Sequence, residues 1–277
     1  MTRQMLQTSS TSFIEDIENL KLSIQFSLDG FSFCINNIGT SKKTLFFCNY
    51  TFDKSLSKPQ ELLIEIEKIF KNDSNLQRDF KEVQVIHQNN LATIVPDAYF
   101  QEDNLKDYLN YTVKTLVTDF ISFDELNSIN AKNVYVPFVN INNYLFQNFG
   151  EFEYQHHASV LIDKLIDTHA SEEKKVFVNV SKTTFDLIVI EGKELLLYNN
   201  FNYTSKEDFL YYILFVAEQL NIAPENATVY LLGEISKESD LYEILYNYIK
   251  NVEFIEINNP VFDHLNLAKH SNFILLA

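Results

Sequence analysis

One strand-and-turn pattern occurs twice in this sequence. Residues 22–31 read Leu-Ser-Ile-Gln-Phe-Ser-Leu-Asp-Gly-Phe, and residues 176–185 read Val-Phe-Val-Asn-Val-Ser-Lys-Thr-Thr-Phe. In each, an apolar strand runs into a serine and a phenylalanine follows four residues on. Ser27 and Ser181 lie 154 residues apart, as do Phe31 and Phe185. Asn49-Tyr50-Thr51 recurs as Asn202-Tyr203-Thr204, at a spacing of 153. A repeat on this scale predicts two similar domains and excludes a short-period solenoid. The 277 residues suffice for two cores of ordinary size. Paired domains leave a cleft between them, where ligands bind.

The elements around each copy follow one order. In the first, strands are predicted over 21–28, 31–37 and 44–50, with Asp29-Gly30 as a hairpin turn. A capping box at 57–60 with Pro59 opens a helix carrying Leu62, Leu63, Ile66, Ile69 and Phe70 at helical spacing. In the second, strands are predicted over 175–181, 185–190 and 194–198. Thr204 to Glu207 caps a helix, then come a strand at 227–232, a helix at 236–249 and a strand at 252–257. The first half continues with strands at 82–87, 91–95 and 133–138 and helices near 104–116 and 142–149. A helix over 157–169 reads as a crossover into the second copy. The predicted organisation is a tail with a short amphipathic helix over 1–20, a first domain over 21–156, and a second over 157–277. Hairpin-linked strands followed by alternating helices and strands make mixed α/β sheets with helices packed on them.

Composition removes several functions. There are 22 Lys+Arg against 38 Asp+Glu, a net charge of −16. Binding to nucleic acid or to anionic lipid needs the opposite sign. Cys34 and Cys48 lie in apolar strand patterns and form no Cys-x-x-Cys pair, so they read as buried small hydrophobes. Residues 1–12 are polar and lack the apolar core of a signal peptide, and no stretch reaches the length of a membrane span. The expected compartment is the reducing cytoplasm. Only five glycines occur, against about nineteen at ordinary usage of roughly 7%. There is no Gly-x-Gly and no Gly-Lys-Ser/Thr, so the usual Rossmann and P-loop phosphate cradles are missing.

His156-His157, with Glu153 near, is the one cluster suggestive of metal binding. Adjacent histidines point in different directions and chelate together rarely. The pair therefore reads as a helix start with one ring buried and one solvated. The carboxylate pairs, such as Glu15-Asp16 and Glu172-Glu173, read as solvated faces. No nucleophile-elbow motif occurs.

The duplicated β-β-β-α-β-α-β order resembles the actin-like ATPase superfamily, whose members carry two ribonuclease-H-like domains around a nucleotide cleft. The resemblance covers about residues 21–277 and rests on topology and duplication. Within that superfamily the chain most resembles a small bacterial family with no assigned activity. One local likeness is Thr93-Ile-Val-Pro-Asp-Ala-Tyr-Phe100, similar to a Val-Pro-x-Tyr-Phe stretch of the large heat-shock chaperones but one residue longer.

The resemblance implies three nucleotide-binding turns. In the first, Asp29 would support a metal-bound water and Gly30 would let the backbone approach a phosphate. The second is Ser181-Lys182-Thr183-Thr184, without the aspartate and glycine expected there. The third is at Gly233, where Glu234 replaces a second glycine. The candidate cofactor site is therefore Asp29, Gly30, Lys182, Thr183, Thr184 and Gly233, a vestigial nucleotide site with no catalytic residue or metal ligand assigned. Two functions follow. One is a non-catalytic binding or adaptor protein, a pseudo-ATPase without a cofactor, holding a protein or a small ligand in the cleft. The other is a divergent ATP/Mg-dependent ATPase or sugar-kinase-like phosphotransferase.

Overall fold

The computed structural model describes residues 19–39, 43–169, 171–225, 227–259, 262 and 267–277, together with the backbone of 2–7. Two mixed sheets carry the fold. The first holds β1 (Thr2–Gln7), β2 (Leu20–Ser27), β3 (Gly30–Asn37), β4 (Lys43–Thr51), β5 (Glu82–His87) and, beyond a small inserted sheet, β9 (Glu153–His156). Its spatial order is β1-β4-β3-β2-β5-β9. The insertion comprises β6 (Ala92–Pro96), β7 (Ser122–Leu126) and β8 (Ala131–Tyr135), covered by helix α2 (Leu105–Asn110). The second sheet holds β10 (Ser171–Val180), β11 (Thr184–Gly192), β12 (Glu194–Asn202), β13 (Thr228–Gly233) and β14 (Asn251–Phe254), in the order β12-β11-β10-β13-β14. Without β1 the two orders are the same, and the parallel pairs β2–β5–β9 and β10–β13–β14 correspond.

Strand register shows which residues are equivalent. Phe26 pairs with Phe31 as Val180 pairs with Phe185, so the 154-residue spacing is the structural register. Both phenylalanines are fully buried. The Asn-Tyr-Thr repeat is out of register. Gly30 pairs with Thr51 and Thr184 with Asn202, so Thr51 and Asn202 are the equivalent residues. A two-residue slip keeps the same face of a strand, which is how such a false match arises.

Helix α1 (Pro59–Asn72) and α3 (Val139–Phe149) cover one face of the first sheet, and α5 (Lys206–Gln219) and α6 (Asp240–Tyr248) one face of the second. A third core lies between the sheets. There α4 (His157–His169) and the short α7 (Phe273–Leu276) are gripped by Cys34, Phe47 and Ile86 on one side and Phe177, Ile188 and Leu232 on the other. All four residues of α7 are buried, and Lys164 Nζ donates to the carbonyls of Ile274 (2.8 Å) and Ala277 (2.6 Å). Burial lowers the Lys164 pKa to about 8, and burial raises that of the Cys34 thiol to about 11.

Several local expectations are corrected. The polar N-terminus contributes β1, which pairs antiparallel with β4 through backbone groups that polar side chains do not prevent. Of the short amphipathic helix expected over 13–20, residues 13–18 are outside the described residues, and Leu20 already begins β2. The capping box expected at 57–60 does not form: the N-cap of α1 is Lys58 without a side-chain cap, Pro59 stands at N1, and Glu61 accepts from the Ser57 N–H at 2.9 Å. The second capping box forms one residue late, between Ser205 and Asp208. The helix expected at 104–116 stops at Asn110, and the one expected at 236–249 starts at Asp240, capped by Ser239. Strands β7 and β9 escape the alternation rule because each buries a polar residue, Asp124 and His156. Among the described residues no helix is long and apolar enough to cross a membrane.

Candidate functional site

The ends of the central strands of both sheets open into one cleft of about 510 Å³. Asp29 and Gly30 reach it from the β2–β3 turn, Ser181 from the end of β10, and Gly233 and Glu234 from the end of β13. The fold thus brings Asp29, Gly30 and Gly233 together. Lys182, Thr183 and Thr184 belong to the β10–β11 turn but do not line the cleft. Lys182 is exposed and its Nζ lies 3.4 Å from the carbonyls of Phe52 and Asp53, across from its own sheet.

Both glycines are required by packing. A Cβ on Gly30 would stand 2.6 Å from the Tyr50 carbonyl, and a Cβ on Gly233 would stand 2.2 Å from the Val180 carbonyl. Gly233 also has φ +87°, a conformation that side chains disfavour. Its N–H donates to the His270 carbonyl (2.9 Å), and the Glu234 N–H donates to the Val180 carbonyl (2.7 Å). The third turn therefore spends these two donors within the protein.

The polar lining is made of amides, hydroxyls and two acids. Asp29 accepts a hydrogen bond from the Ser55 hydroxyl, and the Asp29 N–H donates to Ser27 Oγ at 3.1 Å. Glu234 is open to solvent yet walled in by the crevice. Its pKa is raised, first by desolvation and then by the Asp29 charge, with Lys182 opposing. Asp29 and Glu234 are the charged side chains of the lining, and no Lys or Arg joins them among the described residues. Across the floor, Gln25 Nε2 donates to Gln88 Oε1 (2.7 Å), and Gln88 Nε2 donates to Ser181 Oγ (3.0 Å), tying the two sheets together. No spacing in the sequence pointed to this relay, because its members come from β2, the end of β5 and the end of β10.

Behind the cleft lies a buried polar layer. Asp186 accepts from Asn179 (3.0 Å), Asn200 (2.9 Å) and Tyr198 (3.1 Å), and both its oxygens lie 3.1 Å from His157 Nε2. Burial pushes the Asp186 carboxyl up, but His157 and the amide donors outweigh it, leaving a pKa of about 2. His156 is buried as well, which corrects the expectation of one solvated ring. Its Nδ1 accepts from the Ala158 N–H, so Nε2 carries the proton and donates to the Asn89 carbonyl (3.1 Å). The turn from β9 into α4 sends the two histidines to different partners. No group of metal-ligating side chains occurs among the described residues. Asp124 anchors the insertion by accepting from Ser159 Oγ (2.5 Å), the His156 N–H (2.8 Å) and the Tyr135 hydroxyl (3.0 Å). Burial raises its pKa against those bonds.

Two sheets of the same order, related by duplication and meeting across a polar cleft, define a protein of the actin-like ATPase fold. A solved protein of that fold and unknown function from Bacteroides thetaiotaomicron VPI-5482 is similar over 92% of this chain and 98% of its own, with TM-score 0.79 and 24% identity. The type IV pilus biogenesis complex PilM–PilN is similar over 85% and 88%, with TM-score 0.52 and 11% identity. Residues 9–252 match the profile of DUF3822, a family of proteins of unknown function, and the chain belongs to that family. No curated protein matches it in sequence.

Proposed function

We propose that this chain is a non-catalytic binding or adaptor protein on an actin-like scaffold, and that its cleft does not take a nucleoside triphosphate. The observation that carries this reading is the charge of the cleft: its lining holds Asp29 and Glu234 and no cation among the described residues. A triphosphate brings several negative charges and needs positive potential, a bound metal or free backbone donors to hold it. Gly233 and Glu234 have committed their N–H groups within the protein. The residues present do not fit ATP. The adaptor reading also has a precedent in the fold, since PilM is seen in a complex with PilN. In this reading the domains are 21–156 and 157–277, the protein works in the cytoplasm, and it binds neither nucleic acid nor membrane.

The test is thermal unfolding with millimolar ATP and Mg²⁺, paired with an ATP-turnover assay. A ligand that binds only the native state must raise Tm. No shift and no turnover are expected. A raised Tm with hydrolysis that Asp29→Ala abolishes would establish the divergent ATPase or phosphotransferase instead.

A further inference from the structure

The chain reaches α7 from the second sheet, and the way it is tied changes on the approach. Up to His270 the ties are to distant backbone. The Ile257 N–H donates to the Lys269 carbonyl (3.0 Å) and the Gly233 N–H to the His270 carbonyl (2.9 Å). The His270 ring adds a bond from Nε2 to the Ile235 carbonyl (2.6 Å). Beyond His270, among the described residues, the backbone-to-backbone bonds of 271–277 all stay within 268–277. Asn272 turns the chain at φ +53°, and α7 follows without a side-chain cap.

Side chains hold α7 in place. Lys164 bonds the Ile274 and Ala277 carbonyls, Asn259 Nδ2 donates to the Leu276 carbonyl (2.9 Å), and Cys34 Sγ donates to the Leu275 carbonyl at 3.8 Å. The apolar side chains of α7 pack in the core between the sheets. Four residues are too few for a helix to form unaided, so the helix and its seating are gained and lost together. Phe273 and Ile274 line the cleft on one side. On the other they line a hollow of about 1080 Å³, walled also by Lys21, Ser23 and Asn36.

We propose that α7 is a latch: it leaves its seat as a unit, hinged at Ser271-Asn272, while both sheets stay folded, and its departure joins the cleft to the hollow behind it. Proteins open in cooperative units of differing stability, and a segment without backbone ties to its neighbours leaves without breaking either sheet. Opening uncovers Cys34, which lies against Leu275 and is fully buried while α7 is seated. Cys48, on the neighbouring strand, belongs to the core beneath α1 and stays covered. The latch is independent of what the cleft binds, so ATP binding there would sink the reading above and leave this one standing.

Maleimide labelling of the full chain, followed at each cysteine by mass spectrometry, tests it. Each rate is taken relative to the same thiol in the urea-unfolded chain. Cys34 is expected to react about tenfold or more faster than Cys48, with a weaker dependence on urea because its opening exposes less surface. Ile66→Val, in the core beneath α1, is expected to speed Cys48 and leave Cys34 unchanged. Lys164→Met and Leu276→Ala are each expected to speed Cys34 about tenfold or more. Lys164 favours the Cys34 thiolate, so its loss by itself would slow the reaction, and faster labelling reports opening. Equal rates and equal urea dependence at the two thiols overturn the proposal, as does Ile66→Val speeding both alike. Fast labelling of Cys34 that neither α7 variant changes also overturns it, because the reagent would then arrive by another route.

Discussion

The two edges of the cleft are the same piece of backbone used twice, with different side chains. Phe26 pairs with His87 as Val180 pairs with Gly233, so Gln88 and Glu234 are equivalent. Their backbone N–H groups make the same bond, to the Phe26 carbonyl at 3.0 Å and the Val180 carbonyl at 2.7 Å. Gln88 then reaches across to Ser181, whereas Glu234 stays an acid beside Asp29. One strand further in, Gln25, Ser32 and Asn49 correspond by register to Asn179, Asp186 and Asn200. In the first sheet this row is neutral and lines the cleft, with Ser32 donating to Asn49 Oδ1 at 2.7 Å. In the second it encloses a buried carboxylate. The backbone hydrogen bonds keep the symmetry, and the side chains divide the labour between a floor and an anchor.

Removing the anchor should separate the halves most. Asp186→Ala leaves His157 and several buried donors without their acceptor. It should cost about 3–5 kcal/mol in urea unfolding, while Ser32→Ala at the equivalent place should cost about 1 kcal/mol or less. Equal losses would break the comparison. The sign with pH is fixed by the lowered pKa. The carboxyl titrates near 3.9 when unfolded and at about 2 when folded. Its contribution is full above about pH 4 and is lost as pH falls towards 2. The gap between wild type and Asp186→Ala should narrow over that window.

Gly233→Ala should come next, at about 2 kcal/mol or more, since it meets both the Val180 backbone and an unfavourable φ. Gly30→Ala meets only the Tyr50 carbonyl and should cost less, as calorimetry can check. Gln88→Ala deletes the relay across the floor and should cost about 1 kcal/mol, with faster amide exchange at the ends of β5 and β10. The smallest effect is expected from Glu234→Gln, which makes the two edges alike. A raised carboxyl pKa means that ionisation opposes folding, so the variant should melt slightly higher at pH 7. Near pH 4 and below, where glutamate is protonated in both states, the difference should vanish. A lower Tm at pH 7 would show that Lys182 outweighs desolvation and Asp29.

Where side chains alternate or recur at helical spacing, the sequence is legible. The β2–β3 hairpin, the α1 stripe and the limits of α4 follow from it. Strands β7 and β9 do not, because a buried Asp124 and a buried His156 look like surface residues until their partners arrive from Tyr135, Ser159 and Asn89. The candidate site divides similarly. Asp29, Gly30 and Gly233 could be named from the turns of the repeat. The relay from Gln25 to Ser181 could not, since its members come from β2, the end of β5 and the end of β10.

By itself the sequence determined the duplication, the strand–turn register around Ser27 and Ser181, the acidic balance and the lack of a glycine-rich phosphate loop. These are properties of local spacing and of counting. Tertiary structure alone decided that Gly30 and Gly233 serve close backbone contacts, that both central histidines are buried, and that the cleft is lined by acids without a cation among the described residues. Such facts depend on which distant groups share a low-dielectric space and which donors are already taken, and neither is written in the order of residues along one strand.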